Sequence, residues 1–178
     1  MLKRFLRKIK RLCRSLFSLV ELWCWRRLRR YRAGHYGDKI FIIQDCHIGD
    51  FLIALPYFQR LKVFYNQKMV LISDQRIAPL AMECGCFNEV IAIDMKKASS
   101  YKHLFYRWKT FLKLRTLSGR ILIQKYSVGG TSLEDCMAVI IGAAEKIGVD
   151  SDKTNSNGGC GFYGTNMTKI ECPVQRFF

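Results

Sequence analysis

Residues 40–56 read IFIIQDCHIGDFLIALP, and the fold turns on how this stretch divides. Ile40 to Ile43 is an apolar run short enough for one buried strand. Gln44 to Gly49 forms a polar loop, and Asp50 opens a second apolar run whose length suits a helix ending at Tyr65. Pro56 either kinks that helix or marks where its regular part begins. A strand, a short loop and a helix with an acid in its first turn form the opening of a βα unit.

Outward from this stretch the same alternation repeats. KMVLIS (68–73) is a second strand, a short helix lies near Ile77 to Cys84, and Val90 to Ile93 is a third strand. A long basic and aromatic helix covers about Ser99 to Leu117, and RILIQ (120–124) is a fourth strand. Thr131-Ser132-Leu133-Glu134 has the form of a capping box for a last helix reaching about Ile147. The order β-α-β-α-β-α-β-α predicts an α/β domain over 37–150, a doubly wound parallel sheet with helices on both faces. Such sheets bind ligands beyond the carboxyl ends of their strands, and the loop carrying Asp50 leaves one of those ends. From Ser151 to Gly164 the composition turns to SDKTNSNGGCGFYG and no periodic segment follows, so 151–178 reads as a linker or tail.

The formal charge of +16 is unevenly spread. Residues 1–32 hold twelve Lys/Arg against one acid, Glu21, whereas the rest of the chain carries 18 basic and 13 acidic residues. Within this arm Leu2, Leu6, Ile9, Cys13, Leu16, Val20 and Trp23 recur every three or four positions, a wide apolar stripe of one helix, with most basic residues from Lys3 to Arg14 between them. Residues 1–36 thus read as a basic amphipathic helix. Glu21 interrupts its apolar stretches, which fall far short of the ~20 residues a bilayer span requires. No small-residue cleavage site marks it as a signal peptide. The expectation is peripheral attachment to an anionic membrane surface. The rivals are docking onto the chain's own domain and nucleic-acid binding, the latter without an aromatic RNA-binding signature or zinc-finger spacing in the body.

Eight cysteines are present and no CxxC. With core enough in the body, a reducing compartment and buried or idle thiols are the simpler reading than a disulfide scaffold, or than a metal site built from Cys46, His47, Cys84 and Cys86. The loop after the first strand lacks GxGxxG and GxxxxGK[ST], so neither hydride transfer nor ATP hydrolysis has support. Ser127-Val128-Gly129-Gly130-Thr131 could cradle an anion, though turns of that kind are common without ligands. Asp50 is either a helix N-terminal acid stabilised by the helix dipole or a general base at the lip of a cleft. His47 is a rival base three residues earlier. Lys96, Lys97, Lys102, Arg107, Lys109, Lys113 and Arg115 cluster around the third helix and face water, membrane or an anionic acceptor.

KIFIIQDCHIGDFLIALPYFQRLKVFYNQKMVLISD (39–74), together with NEVIAID (88–94), resembles the amino-terminal half of glycosyltransferase family 9, the lipopolysaccharide heptosyltransferase-like enzymes. The likeness covers about residues 38–150, and Ile48-Gly49-Asp50 with Pro56 is its most specific part. The resemblance implies a Rossmann-like acceptor-binding domain of a GT-B fold, with Asp50 as catalytic base, Gly49 allowing close backbone approach and His47 near the acceptor. Asp50 would deprotonate an acceptor hydroxyl that attacks a nucleotide-diphospho-sugar with inversion. The nucleotide-sugar is the donor substrate, and no metal or other cofactor is implied. The loop departs from the family in carrying Cys46-His47 where small hydroxyl residues are usual. The acceptor would be a glycolipid or cell-envelope glycan at the inner face of the bacterial cytoplasmic membrane. Two such domains need ~300 residues, so the donor-binding half is expected to be missing and the chain to be a truncated transferase. The alternative is a membrane-associated binding module without catalysis.

Overall fold

A computed structural model describes residues 20–21, 23–25, 36–45, 47–124, 133–148 and 167–169. Most of the basic arm, Cys46, the Gly-rich loop with Thr131 and Ser132, and most of the tail lie outside the described residues. Six parallel strands form one sheet in the order β3-β2-β1-β4-β5-β6. They are β1 (Lys39–Gln44), β2 (Lys68–Asp74), β3 (Glu89–Ile93), β4 (Ser118–Gln124), β5 (Gly142–Gly148) and the short β6 (Met167–Lys169). The helices are α1 (Ile48–Tyr65), α2 (Ala78–Glu83), α3 (Met95–Ser99), α4 (Leu104–Arg115) and α5 (Leu133–Ile140).

Alternate residues of the strands point to opposite faces, and each face has its own core. Ile40, Ile42, Met69 and Leu71 pack with Phe51, Ala54 and Phe58 of α1 and Ala81 of α2. Phe41, Ile43, Val70 and Ile72 pack with Met95 and Ala98 of α3, Phe111 and Leu114 of α4 and Cys136 to Ile140 of α5. This is the doubly wound layering expected from the sequence. α1 ends where Asn66 adopts a left-handed conformation (φ 46°) and its N–H reaches the Lys62 carbonyl at 3.0 Å. Pro56 sits inside α1 on its exposed side, so the carbonyl it leaves without an N–H partner belongs to the solvent face.

Three expectations are corrected. The helix expected over 99–117 is broken: Asp94 caps α3 by accepting from Lys97 N at 3.0 Å, and Ser100 caps a 3-10 turn by accepting from Lys102 N at 3.3 Å before α4 begins. The last helix stops at Ile140, because residues 142–148 are drawn into the sheet as β5, paired with β4 over seven residues. Ala, Glu and Lys favour a helix there, but the open side of β4 offers a full ladder of backbone partners, and Lys146 turns back to donate to the carbonyls of Ala138 and Val139 at the end of α5. Beyond residue 150, Met167–Lys169 adds β6 to β5, so part of the segment read as a tail belongs to the sheet.

The boundary drawn at residue 36 is also crossed. Residues 20–21 and 23–25 are helical, and Trp25 is 8% exposed within the core, its ring edge-on to Phe111 at 5.8 Å. Glu21 makes a buried ion pair with Arg107 at 2.8 Å. The arm therefore docks at least here on α4, while Val20 and Trp23, members of its apolar stripe, are each 59% exposed. No helix among the described residues is long and apolar enough to cross a membrane.

At Gly119 a Cβ atom would lie 2.5 Å from the Lys39 carbonyl oxygen and 2.6 Å from the Phe41 ring. The carbonyl is fixed by the sheet and cannot yield cheaply. Gly119→Ala is expected to destabilise the protein by about 1–3 kcal/mol, read as a lower denaturant midpoint with an unchanged slope; an unshifted midpoint would refute this packing.

Candidate functional site at the carboxyl edge of the sheet

The strand order reverses at β1. From β1 the chain steps to β2 and β3 on one side, and β4 and β5 lie on the other. The helices that follow β1 and β4 cover opposite faces of the sheet, and in open sheets of this kind ligands bind beyond the carboxyl ends of the strands at such a reversal. β1 delivers Gln44 and Asp45 to this edge, and α1 begins there with His47 as its N-cap residue. The register aligns Ile43 with Gln124 and Gln44 with Ser73.

The residues singled out from the sequence fall together. His47, Gly49 and Asp50 are all exposed, with Asp50 in the first turn of α1, where the helix dipole favours a carboxylate. Gly49 has helical backbone and a Cβ there would meet nothing within 4 Å, so the fold itself does not demand glycine and the space above it is open. His47 makes no side-chain cap bond.

Sequence reasoning missed a partner at this edge. Asp45 N donates to Glu134 Oε1 at 2.8 Å, joining the end of β1 to the first turn of α5, and Gln124 Nε2 donates to Asp135 Oδ1 at 2.7 Å. Burial pushes the Glu134 carboxyl up to about 7; the Asp45 backbone bond opposes this, and the charges of Asp45 and Asp135 add to it. Asp45 is itself raised by desolvation and by the charge of Asp74, against the pull of Arg76 and His47. The only signal in the sequence was Glu134 as the capping-box acid, which speaks of a helix start and not of a proton held near neutrality. Among the described residues, both polar atoms of the buried Gln44 amide and the Ser73 hydroxyl have no hydrogen-bond partner. Atoms of that kind each cost about 1–3 kcal/mol, and here they sit side by side next to the carboxyl edge.

The raised carboxyl of Glu134 fixes the sign of a pH effect. A proton binds this group more tightly in the folded chain, so its contribution to stability is complete below the ordinary Glu value of 4.5 and is lost as pH rises through about 7. Glu134→Gln is expected to match the parent in thermal midpoint near the bottom of that window and to exceed it above the top. Parallel midpoints across the window would overturn the assignment.

Along the same edge, at the ends of β2 and β3, lies a cavity of about 360 Å³ lined by Asp74, Arg76, Asp94, Lys96, Lys97 and His103 among others. Asp74 is buried and accepts from Arg76 Nε at 2.6 Å, Arg76 N at 3.0 Å and Met95 N at 3.3 Å. Burial would raise its pKa, but these bonds hold it below the usual carboxylate range. Asp94 is held low by the Lys97 backbone bond, burial opposing, and by the Lys97 ammonium at 3.2 Å. The acids are thus committed to structure. Asp50 does not line this cavity.

Cys84 and Cys86 are free, and burial first, with the Cys84 side chain, pushes the Cys86 thiol up to about 11. Burial likewise raises Cys136 to about 11, against the pull of Arg107. Neither is a ready nucleophile. Among the described residues no three His, Cys, Asp or Glu are grouped to hold a metal ion.

By its parallel sheet and the helices between its strands the chain is an α/β protein of Rossmann-like arrangement. Compared with protein-family models, with curated proteins and with solved structures, it matches none.

Proposed function

We propose that this domain binds a sugar acceptor for an inverting glycosyl transfer of the kind carried out by the heptosyltransferase-like enzymes of glycosyltransferase family 9, in lipopolysaccharide or cell-envelope glycan synthesis. The observation that carries the reading is the exposed Asp50 carboxylate, on the first turn of an 18-residue helix at the point where the strand order reverses. A carboxylate there can accept the proton of an acceptor hydroxyl as it attacks the anomeric carbon of a nucleotide-diphospho-sugar. The sugar bond to the diphosphate breaks, the new glycosidic bond forms with inversion, and the proton leaves on Asp50. Gly49 leaves room for the acceptor, His47 is placed to hydrogen-bond it, and Glu134 on the facing helix supplies a second group that exchanges protons near neutrality. The donor is held by a second domain outside 37–150, and the protein works as a peripheral protein at the inner face of the cytoplasmic membrane.

The test offers purified chain, with bacterial membranes, a panel of labelled nucleotide-sugars, and follows core oligosaccharide binding by amide chemical shifts. Shifts at Asp45, Gly49 and Asp50 are the expected result, with label entering the glycolipid fraction once a donor-binding domain is supplied. Shifts without transfer would replace catalysis by a binding module, and neither would sink both.

A further inference from the structure

α4 presents two faces that differ in kind. Arg107, Phe111 and Leu114, spaced by four and three, are buried on its inner side. On the other side Phe105, Trp108 and Leu112, spaced by three and four, are 85%, 51% and 53% exposed. Lys109 and Lys113, one turn apart and exposed, run beside that stripe. The whole stretch from Met95 to Leu117 contains seven Lys/Arg and no Asp or Glu. An outward apolar stripe rimmed only by cations costs free energy in water and has no use in a helix whose sole task is to cover a sheet.

The docked part of the arm lies against the same helix. Glu21 meets Arg107 and Trp25 meets Phe111, so equal steps of four residues align the segment parallel to α4. The side of the segment that carries Val20 and Trp23 stays exposed, and these two belong to the stripe that runs back through the twelve-cation arm. The outer side of α1 is apolar too, with Ile53, Val63 and Phe64 71%, 82% and 79% exposed, but it lies on the opposite face of the sheet and Arg60 is the one cation on it. Charge separates the two surfaces.

We propose that the outer face of α4, with Phe105, Trp108 and Leu112 as the inserting side chains and Lys109 and Lys113 as the lipid-phosphate contacts, is a membrane-docking surface of the folded domain, continuous with Val20 and Trp23 of the docked arm. Its occupant is an anionic bilayer surface: aromatic and aliphatic side chains enter the headgroup boundary while lysines stay among the phosphates. The surface sits on the face of the sheet opposite α1, so α4 lies on the lipid and the carboxyl edge stands at the side of the molecule. The inference rests on the peripheral attachment in the proposed function and is independent of the transfer chemistry.

Flotation of the full chain with phosphatidylglycerol-containing vesicles, with pure phosphatidylcholine vesicles and with duplex DNA at equal salt is the test. The chain is expected to float with the anionic vesicles and to prefer them to the other two. Lys109→Gln/Lys113→Gln is expected to weaken that partitioning by about 25-fold, roughly fivefold for each lysine near the surface. Phe105→Ser/Trp108→Ser/Leu112→Ser should weaken it by at least tenfold, and Phe64→Ser on α1 should not change it. In Trp23→Phe protein, brominated lipid should quench Trp108 while the buried Trp25 stays bright. Parent-like flotation of the α4 variants, unquenched Trp108, equal binding to both lipids or preference for DNA would each overturn the proposal. Should the triple variant fail to fold, the lysine pair and the quenching still decide. Sugar transfer without vesicle binding would remove this surface and leave Asp50 untouched; vesicle binding without transfer would do the reverse.

Discussion

Asp50→Asn is expected to lower sugar transfer, in the transferase completed by its donor-binding domain, by about 10²–10⁴-fold, the usual contribution of a positioned general base, with little change in acceptor affinity or in the thermal midpoint. The amide keeps the size and much of the hydrogen bonding of the carboxylate but does not take up a proton at any working pH. Asp50 is exposed, so removing its charge unburies nothing and strands no partner. The only structural loss is the favourable interaction with the start of α1, worth about 0.3–1 kcal/mol. A fall in turnover that far exceeds any fall in stability separates chemistry from folding. Should Asp50→Asn keep parental turnover while His47→Gln or Glu134→Gln loses it, the base is one of those two and the site at the carboxyl edge survives with different roles.

Glu21→Ala is the second large effect, and it concerns how the arm is held. Arg107 is buried with its Nε donating to both Glu21 carboxylate oxygens at 2.9 Å, its Nη1 donating to the Ala98 carbonyl at 2.9 Å, and its plane over Phe111 at 4.8 Å. Burial disfavours the guanidinium charge, but Glu21 outweighs it, and the pKa of Arg107 stands above its ordinary value. Without Glu21 the cation is left buried with only the Ala98 carbonyl and the Cys136 sulfur as acceptors, and breaking a buried pair in this way costs about 3–5 kcal/mol. For a chain of this size that is a fall in thermal midpoint of about 6–20 °C. Glu21→Leu/Arg107→Met, which removes both charges and keeps apolar volume, should recover most of the loss, as replacement of whole buried pairs tends to do. A parental midpoint for Glu21→Ala would mean that the arm does not dock through this pair. A lowered midpoint together with red-shifted Trp25 emission would show the segment leaving α4 and letting Arg107 reach water.

Local pattern made the first half of the domain legible. Apolar runs of four to seven residues divided by turn residues fit buried strands in a sheet covered on both faces. That pattern located β1 to β4 to within about two residues, and with them the turn from β1 into α1 that places His47, Gly49 and Asp50 at the carboxyl edge. The second half was less legible because its deciding interactions are between distant segments. The Ala-Glu-Lys run that becomes β5 carries helix formers, and only the unpaired side of β4 draws it into a strand. Met167–Lys169 is too short to show any period at all.

The sequence by itself determined the βα alternation, the cationic arm and the placing of Asp50 where a strand hands over to a helix, since these depend on neighbours within a turn or two. Tertiary structure alone decided that Glu134 meets Asp45 across 89 residues and that Arg107 closes on Glu21 across 86. It decided equally that Phe105, Trp108 and Leu112 face outward although they are as apolar as the residues buried beside them. The physical reason is the same in each case: desolvation and charge pairing are set by what the sheet brings alongside a side chain, and chain-local periodicity carries no record of that.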